Sequence, residues 1–158
     1  MALNIRRVVT GHDENGKAVV KIDGPLNAVK QNRPKVQSSV VWTTQGFPVD
    51  NDDETDGALR PVSTSDHDGT VFRVVSYEPG ATPRNHRTDS IDYAVVISGE
   101  IVMDLDGTEV TLRQGDLLVQ RGTIHNWVNR GSVPCVIAFV LVGAKPARPS
   151  GKELPAVG

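Results

Sequence analysis

From Thr70 to Val142 the chain breaks into short β-type segments, each closed by a turn residue. Val71 to Tyr77 ends at Glu78-Pro79-Gly80, Ile91 to Ile97 at Ser98-Gly99, Ile101 to Leu105 at Asp106-Gly107, and Glu109 to Leu112 at Gln114-Gly115. Leu117 to Val119, His125 to Val128 and Val136 to Val142 follow. Strands this short and this evenly spaced cannot cover their own apolar faces, so they predict an all-β antiparallel sandwich or barrel. No stretch carries a helical period. The unbroken apolar run Val136 to Val142 suits a strand covered on both faces.

What precedes and follows this run differs from it. Val8-Val9 and Ala18 to Ile22 flank Asn15-Gly16, a pair that tolerates the positive φ of a tight hairpin turn. A further strand is predicted at Val36 to Thr44. The acidic stretch Asp50 to Asp56 resembles a calcium loop only superficially, because the twelfth position counted from Asp52 is Ser63 where a bidentate glutamate is required. It reads as a solvated loop, and His12 and His67 read as turn residues. The tail beyond Gly143 holds Pro146, Pro149 and Pro155 and is expected to be extended. The expected organisation is an N-terminal β extension with the acidic loop over 1–69, a barrel over 70–142 and a proline-rich arm over 143–158.

A chain of 158 residues supports one hydrophobic core. Its formal net charge of −2 gives no basic field of the kind that gathers nucleic acid or anionic lipid, and no apolar run is long enough to span a bilayer. Neither nucleic acid nor membrane is an expected partner, and the expected location is the cytoplasm. The single cysteine, Cys135, lies in Pro134-Cys135-Val136-Ile137 and reads as a small buried hydrophobe.

The polar residues that stand out are set at fixed intervals. Gly80 is followed after five residues by His86, then one residue to Thr88, three to Asp92 and six to Gly99. After fifteen more come Gly115, five residues, Arg121-Gly122, two residues, His125, three residues and Asn129. Two imidazoles and one carboxylate on alternating β sequence are what a small barrel needs to aim polar groups into a cavity. If Asp92 points inward, so do Ala94 and Val96, while Tyr93, Val95 and Ile97 face outward. On the second side His125, Trp127 and Asn129 share a face.

These intervals resemble the two motifs of the cupin superfamily. Gly80, His86, Asp92 and Gly99 fall on the first motif, and Gly115, Gly122, His125 and Asn129 on the second; Arg121 stands where proline is usual, one residue closer to the glycine. The resemblance covers about residues 70–142 and implies a single jelly-roll barrel. It also implies one divalent metal (iron, manganese, zinc or nickel) held by His86, Asp92 and His125, or the same residues working without metal. Thr88 replaces the family's second histidine, and Asp92 replaces a glutamate with about 1.5 Å more reach. The string His86 to Tyr93, with Gln120 to Thr123, is similar to a subgroup of small cupins found in bacteria and fungal polyketide clusters, described as decarboxylases or oxidoreductases.

Three functions compete at this point. One is a lyase, a decarboxylase or dehydratase on an oxygenated, aromatic or polyketide-like acid, with His86, Asp92 and His125 catalytic through a metal or by acid–base transfer. Another is a non-haem iron dioxygenase acting on a diketone or catechol. The third is a barrel that binds a small molecule without catalysis. Substrate contacts are expected from Arg87, Thr88, Arg121, Trp127, Phe72 and Met103. A homodimer is expected, with the N-terminal strands and the arm available to cross to a neighbour.

Overall fold

The computed structural model describes residues 3–26 and 29–158. Strands β1 (Arg6–His12) and β2 (Ala18–Pro25) form the hairpin predicted around Asn15-Gly16 and pair antiparallel. β3 (Val29–Arg33) and β4 (Val36–Gln45) lead to β5 (Gly69–Tyr77), after which come β6 (Ser90–Ser98), β7 (Glu100–Leu105), β8 (Thr108–Arg113), β9 (Leu117–Arg121), β10 (Asn126–Val128) and β11 (Cys135–Gly143). Six of them make one antiparallel sheet in the order β3-β4-β5-β11-β6-β9, and three make a second in the order β10-β7-β8. Among the described residues the only helical element is a single 3₁₀ turn at Pro149–Gly151.

The two sheets face each other over a core that includes Val71, Ile101, Met103, Leu112, Trp127 and Ile137. Burying each of these side chains contributes about 1.5–3 kcal/mol, enough together to hold strands that are individually unstable. β11 lies between β5 and β6, with Ile137 opposite both Val75 and Val96. That central position explains its unbroken apolar sequence. The alternation predicted for β6 holds: Asp92, Ala94 and Val96 are buried, whereas Tyr93 and Ile97 are exposed. Cys135 is fully buried, and that burial pushes its thiol up to about 11, the behaviour of an inert core residue.

The motif glycines and asparagine prove to be joinery. Gly99 turns β6 into β7 at φ +80°, and a Cβ there would meet the Pro134 carbonyl at 2.6 Å, so glycine alone fits. Asn129 donates from Nδ2 to the carbonyls of Tyr77 at 2.8 Å and Val133 at 2.9 Å, while its Oδ1 accepts from the Gly131 amide at 2.9 Å. It therefore pins the loop between β10 and β11 to the end of β5.

β3 was not foreseen, and with β4 it makes the N-terminal segment part of the main sheet. A register shift between Val40 and Trp42 sets Trp42 opposite Phe72. Phe72 thereby joins a row that runs across the outer face of the sheet: Trp42 opposite Phe72, Phe72 opposite Val140, Val140 opposite Tyr93, Tyr93 opposite Val119. The β1–β2 hairpin stands over the Trp42 end of this row, and its residues share a cavity with Trp42, Phe72 and Val140. Arg7 lies 5.9 Å from the indole centroid and is fixed by a two-pronged bond to Asp56 at 2.6 and 2.7 Å.

Candidate active site

Between the sheets, at the end where β5, β6 and β11 approach the His86 segment, lies a cavity of about 220 Å³. Its polar lining is Arg33, Arg73, Arg84, His86, Asp92 and His125, and its apolar wall includes Val36, Val75, Tyr77, Phe139 and Leu141. The three residues that the sequence singled out for chemistry thus reach one space from three different segments.

His86 and His125 are positioned by backbone. Each donates its amide to the other's carbonyl at 3.0 Å, an isolated antiparallel bridge that sets the two rings 4.1 Å apart between centroids and tilted by 51°. His86 Nδ1 lies 3.0 Å from the Arg84 carbonyl, and His125 Nδ1 lies 3.0 Å from the Thr123 carbonyl. A carbonyl oxygen only accepts, so the Nδ1 of His86 carries the proton and its Nε2 keeps its lone pair. His125 Nδ1 lies between two groups that select opposite tautomers: the Thr123 carbonyl accepts a proton from it, whereas the Gln120 carboxamide nitrogen, a donor 3.0 Å away, needs its lone pair. Burial pushes His86 below the usual imidazole range, and burial together with the neighbouring ring brings His125 down to about 4. At neutral pH both rings are uncharged.

Asp92 moves the opposite way. It is 4 % exposed, and burial raises its carboxyl against the pull of the Ser90 hydrogen bond and the Arg73 charge. Ser90 Oγ is 2.6 Å from Asp92 Oδ1 and 2.8 Å from Thr88 Oγ1. With one proton on each hydroxyl, a relay from Thr88 to Ser90 to the carboxylate satisfies all three. Thr88, at the family's second histidine position, is thereby committed to holding Asp92.

The implied metal set does not form. Among the described residues no three His, Cys, Asp or Glu side chains are grouped to hold a metal ion. The two imidazoles face each other across their bridge, and the carboxyl is drawn aside to Ser90. The residues present do not fit the three-ligand site that the resemblance implied for His86, Asp92 and His125, and no chemical step is routed through a metal here.

The expected substrate contacts also lie elsewhere. Trp127 packs behind His125, edge-on at 5.8 Å, and against Phe139 at 5.6 Å, as part of the core. Met103 is core as well, at 1 % exposure. Phe72 faces outward, because Val71, Arg73 and Val75 take the inner parity of β5. Arg121 is exposed at the end of β9. Arg87 faces the C-terminal segment: its backbone pairs with Val157 at 2.9 and 3.0 Å, and its Nη1 donates to the Pro155 carbonyl at 3.3 Å. The tail expected as an extended arm therefore returns to the site, where the Gly158 carbonyl accepts from Arg84 Nη2 at 2.6 Å. The guanidiniums that do line the cavity are Arg33, Arg73 and Arg84.

This geometry can be set beside known proteins. Residues 73–142 match the family model described as a cupin domain. Over 94 % of its length the chain is 33 % identical to a protein of Aspergillus ruber named cupin-domain-containing oxidoreductase fogC, covering 77 % of that protein. The chain belongs to the cupin family. This cupin is also 36 % identical to the phomopsin biosynthesis cluster protein C' of Diaporthe leptostromiformis, covering 96 % of the chain and 85 % of the relative. Among solved structures, KdgF from a Halomonas species superposes with a TM-score of 0.50 at 19 % identity, over 73 % of this chain and 86 % of its own. That likeness concerns the fold, a cupin jelly roll of antiparallel strands. No helix among the described residues is long and apolar enough to cross a membrane.

Proposed function

We propose that this cupin is an acid–base enzyme for a small oxygenated carbon compound and that its reaction is a lyase step, the elimination of water. The observation that carries this reading is the opposite protonation bias in one cavity: Asp92 is biased toward holding a proton, and His86 and His125 toward the neutral form, in which a ring nitrogen keeps a free lone pair. An elimination uses both. A histidine Nε2 takes the proton from carbon, the electron pair becomes the new double bond, and Asp92 delivers its proton to the departing hydroxyl. Decarboxylation needs only the donor, so the paired arrangement favours dehydration. The apolar wall of Val36, Val75, Phe139 and Leu141 lowers the polarity around both groups and strengthens their interaction with the substrate.

A redox reaction is the second reading, favoured by the name that fogC carries. The two separate on product mass: dehydration loses water with no change in oxidation state. The reading is tested without a known substrate by infrared difference spectroscopy of the wild type against Asp92→Asn. The protonated carboxyl band should titrate with a midpoint above the ordinary carboxylate value of about 4. A midpoint at or below that value removes the acid.

In its assembly we expect a homodimer through the outer face of the six-stranded sheet, supported by the exposed apolar side chains of Phe72, Tyr93 and Val119. A cytoplasmic location remains the expectation from charge and cysteine content.

A further inference from the structure

The acid–base reading leaves three arginines in the cavity without a task. Arg33 comes from the end of β3, Arg73 from the middle of β5 and Arg84 from the segment before His86, yet all three line the same 220 Å³. Among the described residues none of them forms an ion pair. Arg73 Nη2 donates to the Ser63 carbonyl at 2.6 Å, and Arg84 is held by the carbonyl of Gly158 at 2.6 Å and the hydroxyl of Thr64 at 3.4 Å. The Ser63 carbonyl and the Thr64 hydroxyl are neutral, so they aim the guanidiniums and leave the charge of Arg73 in place. Two donors, Arg33 Nη1 and Arg73 Nε, are buried with no hydrogen-bond partner at all.

Buried donors and buried charge are costly when nothing answers them. Among the described residues Asp92 is the one acidic side chain lining the cavity, and its carboxyl is already engaged by Ser90. Both histidines present neutral rings. Arg33 and Arg73 are therefore two fixed positive charges with no acidic side chain paired to them, Arg84 lines the cavity beside them, and the missing partner is an anion.

We infer that Arg33, Arg73 and Arg84 form a carboxylate-binding site, and that the ligand of this cavity is a small organic acid whose anionic head meets these guanidiniums while its apolar body lies against Val36, Val75, Phe139 and Leu141. Planar guanidinium forks match a carboxylate with paired, charge-assisted hydrogen bonds. The volume bounds the rest: 220 Å³ is below the roughly 300–1,000 Å³ of sites for drug-sized ligands, so the acid is the size of one ring or a short chain. This inference deepens the proposed function by naming its substrate class, and it rests on that reading of the cavity as the active site.

The test is equilibrium binding, which requires no turnover. Benzoate is the probe, benzamide its neutral counterpart of the same shape, and inorganic phosphate the arm that separates an organic acid from a free anion. Saturable binding of benzoate is expected by calorimetry, with benzamide and phosphate each at least tenfold weaker. Arg73→Met and Arg33→Met should each weaken benzoate at least tenfold, Arg73→Lys should fall between, and Arg121→Met, outside the cavity, should match the wild type. The ligand-free Arg73→Met protein should melt no lower than the wild type, because a buried, unanswered charge has been removed; this confirms that its loss of binding is not a loss of fold. Equal affinity for benzoate and benzamide, tighter binding of phosphate, undiminished binding in both methionine variants, or no saturable binding of benzoate overturns the inference. Asp92→Asn should retain benzoate binding while losing turnover, so the anion site and the acid–base reading fail or survive separately.

Discussion

The two faces of the six-stranded sheet reverse the usual arrangement. Inward, β5 and β6 place Arg73 and Asp92 on the wall of one cavity; outward, one residue away on the same strands, Phe72 and Tyr93 are 37 % and 49 % exposed. A sheet that serves only its own core has apolar residues inside and polar residues outside. Here stability comes from the lower core around Val71, Ile101 and Ile137, and the inner face near His86 is given over to groups that cost free energy to bury. Phe72, Tyr93 and Val119 are exposed on three strands of this row, with half-buried Val140 between Phe72 and Tyr93, and a second surface laid over them would bury them, which is why the outer face is the expected seat of the dimer.

Breaking the inner face should produce the largest effects. Asp92→Asn and His125→Gln are each expected to lower turnover about 10²- to 10⁴-fold, the range of a lost general acid or base. Asp92→Asn should in addition leave the melting temperature unchanged or higher, since the carboxyl is held against its own desolvation. Turnover within a few fold of wild type in both variants would remove these groups from the chemistry. Next comes the core that compensates for the site: Ile137→Ala, at 1 % exposure, should cost about 2–5 kcal/mol in denaturant unfolding. A cost below that range would show that the core carries less of the fold than its burial implies.

Acid provides a further contrast between faces. His125 titrates at about 4 when folded and at about 6.5 when unfolded, so the unfolded chain takes up the proton first as pH falls. The stability that this residue holds above pH 6.5 should be lost between pH 6.5 and 4, amounting to about 3 kcal/mol, and His125→Gln should flatten that limb of the profile. An unchanged slope in the variant would assign the acid sensitivity elsewhere. On the outer face, Tyr93→Ser with Val119→Ser should change monomer stability by no more than about 0.5 kcal/mol while shifting the mass in light scattering from dimer toward monomer. A wild type of monomer mass at micromolar concentration would refute the expected assembly.

The strands from β5 to β11 were legible because turn residues close each segment and β6 alternates cleanly. His86, Asp92 and His125 were legible because their spacing is fixed by the turns that carry them. What escaped was parity and polarity. In Val71-Phe72-Arg73-Val74-Val75, the aromatic residue reads as the inward one and the arginine as solvated, yet Val71, Val75 and Tyr77 occupy the inner face and carry Arg73 with them. The alternation of those three was the available signal. β3, Val-Lys-Gln-Asn-Arg, is a polar edge strand with no apolar period, so neither it nor Arg33 announced itself. The three-ligand set implied for a metal is not grouped among the described residues because motif positions specify which side chains arrive, whereas Ser90 holds the carboxyl on arrival.

The hold of Gly158 on Arg84 and of Val157 on Arg87 has a bearing on how such barrels diversify. The last dozen residues fold back as a short cassette, closed on itself by the Ala147–Leu154 bridge and joined to the His86 segment through Arg84 and Arg87. Exchanging that cassette between relatives would re-aim one arginine beside the cavity while the mutual amide bonds of His86 and His125 stay in place, a route to new selectivity.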